Sequence, residues 1–519
     1  FYHYAWAGAL ILALLFLAIQ RLLWRLSRLQ GASVVYYPFT FLPLVALWYF
    51  LCDENALLSY VIALLMVLLT ARAYMIFSRI WAKMLYLCLS IPLLYWIAGP
   101  VHFAFVGWVI LYEWQISLKE RDWFKAFSYT LGTGVLGVVC PLLAGQFLQY
   151  PLYRLIGGLN YYRFPAVIPF PEICVTLIMM VFPLVLSLFP AFKRRIAALI
   201  ILQLMMLLIA GGWLISKGWD RDKEEAMMYD YLAKTEQWTD MIDMAEKKSP
   251  TSPFTVTCLN LALAKTGQLA DRMFEFYQNG VEGLLPEFQR DFTSPLPTGE
   301  VFYHLGMINT AQRFAFEAME AIPNFRKSSR CYKRLAETNL INGQYKVAAK
   351  YLHALCKTLF YRKWAENTLT YLYHEDKINA HKEWGKLRKL RYTDDFLFSD
   401  REVDIMLGLL FQHNSENRMA FEYMLAYELE KKDLNSFLKY YPLGKTLGYD
   451  HIPRSYQEAL VFVWTQQHSS FSGMPWSISP QVMDEVTEFA RVYVRQKDAE
   501  VALKGKYSTT FWYYLLFRK

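Results

Sequence analysis

From Phe1 to Ile215 the chain is a succession of long apolar runs divided by short polar breaks. Beyond Ile215, apolar and polar positions interleave at the spacing of amphipathic helices. A helix needs about 20 mostly apolar residues to cross a bilayer, with a range of about 17–25. Eight runs are read as spans: Phe1–Ile19, Tyr36–Cys52, Ala56–Ile76, Met84–Ala98, Val101–Leu118, Ala126–Leu148, Ile173–Phe189 and Ile196–Ile215. The fourth and fifth are short and meet at Gly99-Pro100, a junction that also fits one kinked helix.

The polar breaks decide the count. Arg21, Arg25 and Arg28 follow the first span, and Arg72, Arg79 and Lys83 the third. Lys119, Arg121 and Lys125 follow the fifth, and Lys193, Arg194 and Arg195 the seventh. The intervening breaks are poor in basic residues: Asp53 and Glu54, then Gly99-Pro100, then a stretch holding only Arg154 and Arg163. Fusing spans four and five would invert every later loop, so eight spans keep the alternation that the positive-inside rule demands. The basic breaks then face the cytoplasm and residues 217–519 face outward, which in a bacterium means an inner-membrane protein with a periplasmic second domain. Phe1 would also start outside. The expectation is at least one earlier span before Phe1, with a cleaved signal peptide as the alternative.

Composition agrees with this division. The 519 residues are 55% hydrophobic and 17% aromatic, above the roughly 45–50% apolar content of soluble domains. The surplus lies before residue 217, so residues 1–216 form the membrane bundle. The formal charge of +9 does not point to nucleic acid, because the basic clusters sit in loops between apolar runs. Seven cysteines occur without a CxxC pair. That argues against a zinc ribbon or dithiol motif and leaves one disulfide open among Cys258, Cys331 and Cys356.

The sixth span contains Gly132-Thr-Gly134-Val-Leu-Gly137, a formal G-x-G-x-x-G match. A dinucleotide site would need a strand before it and a helix after it. Inside an apolar span, small residues instead let helices approach closely, and Pro141 permits a kink.

The second part carries internal similarity. AKTEQW (Ala233–Trp238) and AKTGQL (Ala264–Leu269) recur in matching contexts, and Gly267, Gly306 and Gly343 mark turns. Those glycines are about 38 residues apart, near the 34-residue tetratricopeptide period. The stretches from Glu225 to Leu359 resemble degenerate tetratricopeptide repeats, with EYMLAYELEKKDLNSFLKYY (Glu422–Tyr441) as a further unit. Ala311 and Ala348 are expected at close helix contacts, and the aromatic tail from Lys504 to Lys519 is expected to cap the array. The fold class is therefore all-α: a polytopic transmembrane helix bundle followed by a tetratricopeptide-like α-solenoid.

No HExxH, GxSxG or Walker loop occurs. Span interiors offer Gln203, Thr130 and Ser90 and little else, which argues against ion-coupled transport. The outward breaks hold the candidate chemistry. Asp53, Glu54, His102 and Glu172 are candidate catalytic residues, a carboxylate or imidazole being suited to general-base work. Arg154, Tyr161, Tyr162, Arg163 and Trp219 are candidate substrate-binding residues. Arg forks match phosphate and aromatic faces stack on sugars. Pro165, Pro169 and Pro171 stiffen the stretch Gly157–Glu172, which reads as a preorganised rim.

FYHYAWAGALILALL and LNLALAKTGQLADRMF resemble an uncharacterised family of multi-spanning inner-membrane proteins of Bacteroidota. In architecture the chain also resembles membrane glycosyltransferases and oligosaccharide transferases that use polyprenyl-linked donors. That resemblance implies membrane lipids, a polyprenyl-linked glycan and a periplasmic peptide or protein on the repeats as partners. It also implies an acid in the first outer loop, which here would fall before Phe1. No cofactor is evident, and a divalent metal would need ligands from that preceding segment. The alternative is a non-enzymatic periplasmic scaffold for envelope assembly or secretion.

Overall fold

Gly99 turns the chain back on itself. The computed structural model describes residues 4–53, 56–157, 170–190, 195–287, 294–322, 327–393 and 402–518. The chain divides into two compact units, Phe1–Asp220 and Arg221–Lys519. Among the described residues there is no strand, only an isolated bridge between Asn279 and Val281. The fold is all-α.

The first unit comprises α1 (Ala5–Leu29), α2 (Leu42–Leu51), α3 (Leu58–Tyr74), α4 (Ile80–Ala98), α5 (His102–Glu120), α6 (Trp123–Phe147), α7 (Leu152–Gly157), α8 (Phe170–Leu188) and α9 (Ile196–Gly218). Among its described residues, six helical stretches are long and apolar enough to cross a membrane, one of them the composite Ile80–Glu120. That composite is a hairpin. Gly99 takes φ 67° and ψ −139°, a conformation closed to residues with a Cβ, and Pro100 follows it. An α-helix rises 1.5 Å per residue, so Lys83 and Glu113 on one continuous helix would lie about 45 Å apart. Instead Lys83 Nζ lies 2.5 Å from Glu113 Oε1, which requires α4 and α5 to run antiparallel.

Two segments differ from the apolar pattern. The second run enters through short 3-10 turns, Val34–Tyr36 and Pro38–Phe41, before α2 begins. The stretch after α6 folds locally into α7, because Pro151 starts a helical turn whose carbonyl accepts from the Arg154 N–H at 2.9 Å.

Several polar residues inside the apolar helices pair with one another or with backbone. Gln20 donates to Thr40 at 2.8 Å, Gln115 to Ser187 at 2.7 Å, Trp114 to Thr130 at 2.8 Å and Gln203 to the Val35 carbonyl at 3.1 Å. Such bonds join neighbouring helices where lipid offers no competing partner. A Cβ on Gly137 would sit 3.2 Å from Val106. Of the glycine-rich motif of the sixth span, Gly137 makes a close α5–α6 contact, whereas a Cβ on Gly132 or Gly134 would meet nothing within 4 Å.

In the second unit the turns share one closure. The N–H after Gly267, Gly306 and Gly343 bonds back to the carbonyl five residues earlier: Gln268 to Leu263 at 2.7 Å, Met307 to Phe302 at 2.9 Å and Gln344 to Asn339 at 2.8 Å. The three glycines have φ of 72°, 93° and 75°, the left-handed cap that ends a helix. Glu236 (φ 56°) and Lys432 (φ 62°) adopt the same cap without being glycine. Gln237 bonds to Leu232 at 3.0 Å and Asp433 to Glu428 at 2.9 Å. Ala311 and Ala348 have no exposed surface, their small side chains allowing the paired helices to nest. The aromatic helix Phe511–Phe517 buries Phe511, Trp512, Tyr513 and Tyr514.

Candidate functional site

The bundle has two chemically distinct ends. At one end, the side chain of Cys52 lies 3.0 Å from where a Cβ of Gly218 would be, bringing the close of α2 to the close of α9. Phe50 packs edge-on against Tyr60 at 5.1 Å, and the Tyr60 hydroxyl donates to the Glu172 carbonyl at 3.0 Å. Tyr95, near the end of α4, donates to the Leu155 carbonyl of α7 at 3.1 Å and packs against the His102 ring at 4.9 Å. Asp53, His102, Arg154, Glu172 and Trp219 therefore all belong to this end. They come from five different places in the chain. Glu54, Tyr161, Tyr162 and Arg163 lie outside the described residues.

Their environments differ. Asp53 is exposed and Glu172 half-buried in the first turn of α8. Arg154 Nε bonds to the Tyr153 hydroxyl at 3.2 Å, with the guanidinium 5.7 Å from that ring's centre. Trp219 caps α9 and is 54% exposed.

His102 has no exposed surface. Its Nε2 lies 3.0 Å from the Gly137 carbonyl and its Nδ1 3.0 Å from the Gly99 carbonyl. The first contact has a clear cause. Pro141 has no N–H, so the carbonyl four residues earlier, that of Gly137, loses its helical donor. The His102 Nε2–H supplies the missing bond. The imidazole expected as a general base is thus engaged in holding the α4–α5 turn against the kink of α6.

The opposite end carries the basic residues and one group that sequence reasoning passed over. Glu113 lies in α5, a lone acid in the run VGWVILYEWQISL, and has no exposed surface. The expectation that span interiors hold little beyond Gln203, Thr130 and Ser90 is therefore corrected. Glu113 Oε1 accepts from Lys83 at 2.5 Å and from the Tyr74 hydroxyl at 2.8 Å. The Lys83 ammonium lies 5.1 Å from the ring centre of Tyr74 and 5.8 Å from those of Tyr112 and Tyr129. An acid amid apolar residues was the available signal. Its partner thirty positions earlier read as a loop charge.

The second unit has a charged network of its own. Arg330 bonds both oxygens of Asp230, at 2.9 and 2.7 Å. Arg334 pairs with Glu300 and Glu337 and lies 3.4 Å over the Tyr303 ring. Lys265 bonds to His304 Nδ1 at 3.1 Å. Burial, followed by the charge of Lys265, pushes the His304 imidazole well below its ordinary range. All seven cysteines are free thiols. Among the described residues, no three His, Cys, Asp or Glu side chains come together as a metal site.

These features define a class: an all-α membrane protein whose apolar bundle continues in sequence into a helical-hairpin unit. The chain belongs to DUF6057, a family of unknown function whose model matches residues 1–518. No curated protein and no solved structure matches it.

Proposed function

We propose that the protein is a membrane-embedded transferase acting on a lipid-linked glycan, its helical hairpins engaging the acceptor protein. What supports this reading is that Asp53, Glu172, Arg154 and Trp219 lie at the end of the bundle away from the basic residues. Under the positive-inside rule that end faces outward, toward the periplasm of a bacterial inner membrane, and eight spans cross between the two. A carboxylate there would take the proton of an acceptor hydroxyl as the polyprenyl phosphate departs with the bonding electron pair. Arg154 and Arg163 would grip phosphate, while Tyr161, Tyr162 and Trp219 would stack on sugar.

A second reading, a non-enzymatic platform for envelope assembly, draws support from His102, whose Nε2–H is given to the Gly137 carbonyl. Deletion followed by envelope glycoproteomics separates the two. The transferase reading expects a set of envelope proteins to lose glycan. It also expects Asp53→Asn with Glu172→Gln, at matched protein level, to fail to restore it. Unchanged glycosylation in the deletion strain would remove the transferase and leave the platform.

A further inference from the structure

Glu113 combines three properties that a purely structural ion pair does not need. First, both of its donors, Lys83 and Tyr74, converge on the single oxygen Oε1. Second, Oε2 is buried with no hydrogen-bond partner, and so is the Ser117 hydroxyl one helical turn further along α5. Those two residues lie on one helix face. Third, Lys83 is the more open member of the ion pair, its side chain keeping 11% exposure against 0% for Glu113. An intramembrane acid is costly unless its charge and its oxygens are answered; Lys83 answers the charge, and Oε2 is left without a donor. A proton is the one ligand that needs no cavity.

We propose that Glu113 is a proton-binding site inside the bundle, loaded through Lys83 from the end that carries the basic residues. In the resting pair the ammonium and the carboxylate cancel. On uptake, an N–H bond of Lys83 breaks and an O–H bond forms on Glu113. The neutral amine then takes a proton from water at its exposed edge. The cluster gains one proton and one positive charge. Charged and titratable neighbours face the site from each packed helix: Tyr74 from α3, Lys83 from α4, Tyr112 from α5, and Tyr129 from α6. Lys125 of α6 also feels the charge of Glu113 and is itself paired with Glu120 of α5 at 2.8 Å. The rings of Tyr74, Tyr112 and Tyr129 around the ammonium hold the positive charge during transfer through cation–π attraction. This site is separate from the outward end, so it stands or falls independently of the transferase reading.

Infrared spectroscopy of the full-length protein in lipid nanodiscs, titrated with acid, reads the site directly. The expected result is a carboxylic C=O band that grows as pH falls, shifts in heavy water and is absent from Glu113→Gln. If that variant does not fold, glutamate labelled with ¹³C at its side-chain carboxyl replaces it as the assignment. Glu113→Asp should then move the band out of the labelled set. Lys83→Met removes the neighbouring positive charge and should tighten proton binding at least about tenfold, about one pH unit. In proteoliposomes with the two sides buffered separately, the band should follow the pH at the basic end. A titration with no Glu113-dependent band, one insensitive to Lys83→Met, or one that follows the opposite side would each overturn the proposal.

Discussion

Arg330 holds both carboxylate oxygens of Asp230, at 2.9 and 2.7 Å, across one hundred residues of chain. The pair joins the helix Arg221–Lys234 to the helix Ser329–Ile341, and only 2% of the Asp230 side chain is exposed. Removing one partner of a buried pair costs about 3–5 kcal/mol. Glu300 stands 4.0 Å from the same guanidinium, so the loss should fall at the lower end. Asp230→Ala is expected to destabilise the second unit by about 3 kcal/mol, measured by denaturant unfolding of the full chain in detergent. A change below the error of that measurement would show the bond to be incidental.

His102→Ala should cost stability before it costs chemistry. It strips the Gly137 carbonyl of the donor that replaces the N–H missing at Pro141, and an unsatisfied buried acceptor costs about 1–3 kcal/mol. The expected outcome is a lower melting temperature of the membrane unit. A variant that melts normally but has lost activity would restore the catalytic role.

Two buried acids tune the region around Phe511–Phe517. Burial pushes Glu430 up to about 8, against the bond it accepts from Tyr514 at 2.6 Å. Burial likewise pushes Glu458 up to about 7, although the Phe511 N–H donates to it at 2.6 Å. Both folded values lie above the unfolded glutamate value. The native state therefore binds more protons, and stability is full at acid pH and declines as pH rises through about 7 to 8. Each group can contribute at most about 1.4 kcal/mol per pH unit. Melting of the second unit, followed from mildly acid to mildly alkaline buffer, should show this decline. Glu430→Gln should flatten it.

Ala348 is completely buried in the helix Tyr345–Leu355. Ala348→Trp overfills the contact with the preceding helix and should destabilise by roughly 1–3 kcal/mol. The same substitution at an exposed position of that helix, such as Lys350, serves as the control and should be near neutral.

Orientation is open to a reporter test. A periplasm-dependent reporter fused after Lys519 should be active, and the same reporter inserted between Lys119 and Glu120 should be silent. The reverse pattern would overturn the assignment of the basic end to the cytoplasm.

Local chemistry explains what could be read in advance. The apolar runs gave the long helices, and the alternation of basic breaks, rather than Gly99-Pro100 itself, separated the two arms of the hairpin. Gly267, Gly306 and Gly343 announced helix ends, because glycine takes the left-handed cap at no steric cost. Glu236 and Lys432 close identical turns with side chains that carry no such signature. Glu113 and Lys83 were missed because their meaning is a contact thirty residues apart, set by the hairpin. His102 looked like a free base, since nothing local links it to the donor missing at Pro141.

The helix Phe511–Phe517 has a consequence for how the chain is made. Its residues bond to Glu458, 53 positions earlier, and to Glu430, 84 positions earlier. They supply the apolar surface that covers both acids. During synthesis at about 5–20 residues per second, Glu430 must wait roughly 4–17 s for Tyr514. For that interval a nascent chain leaves Glu430 without the Tyr514 hydroxyl that it bonds in the finished fold. A chain arrested before Phe511 therefore holds two acids, Glu430 and Glu458, without the Tyr514 and Phe511 donors that answer them in the finished fold.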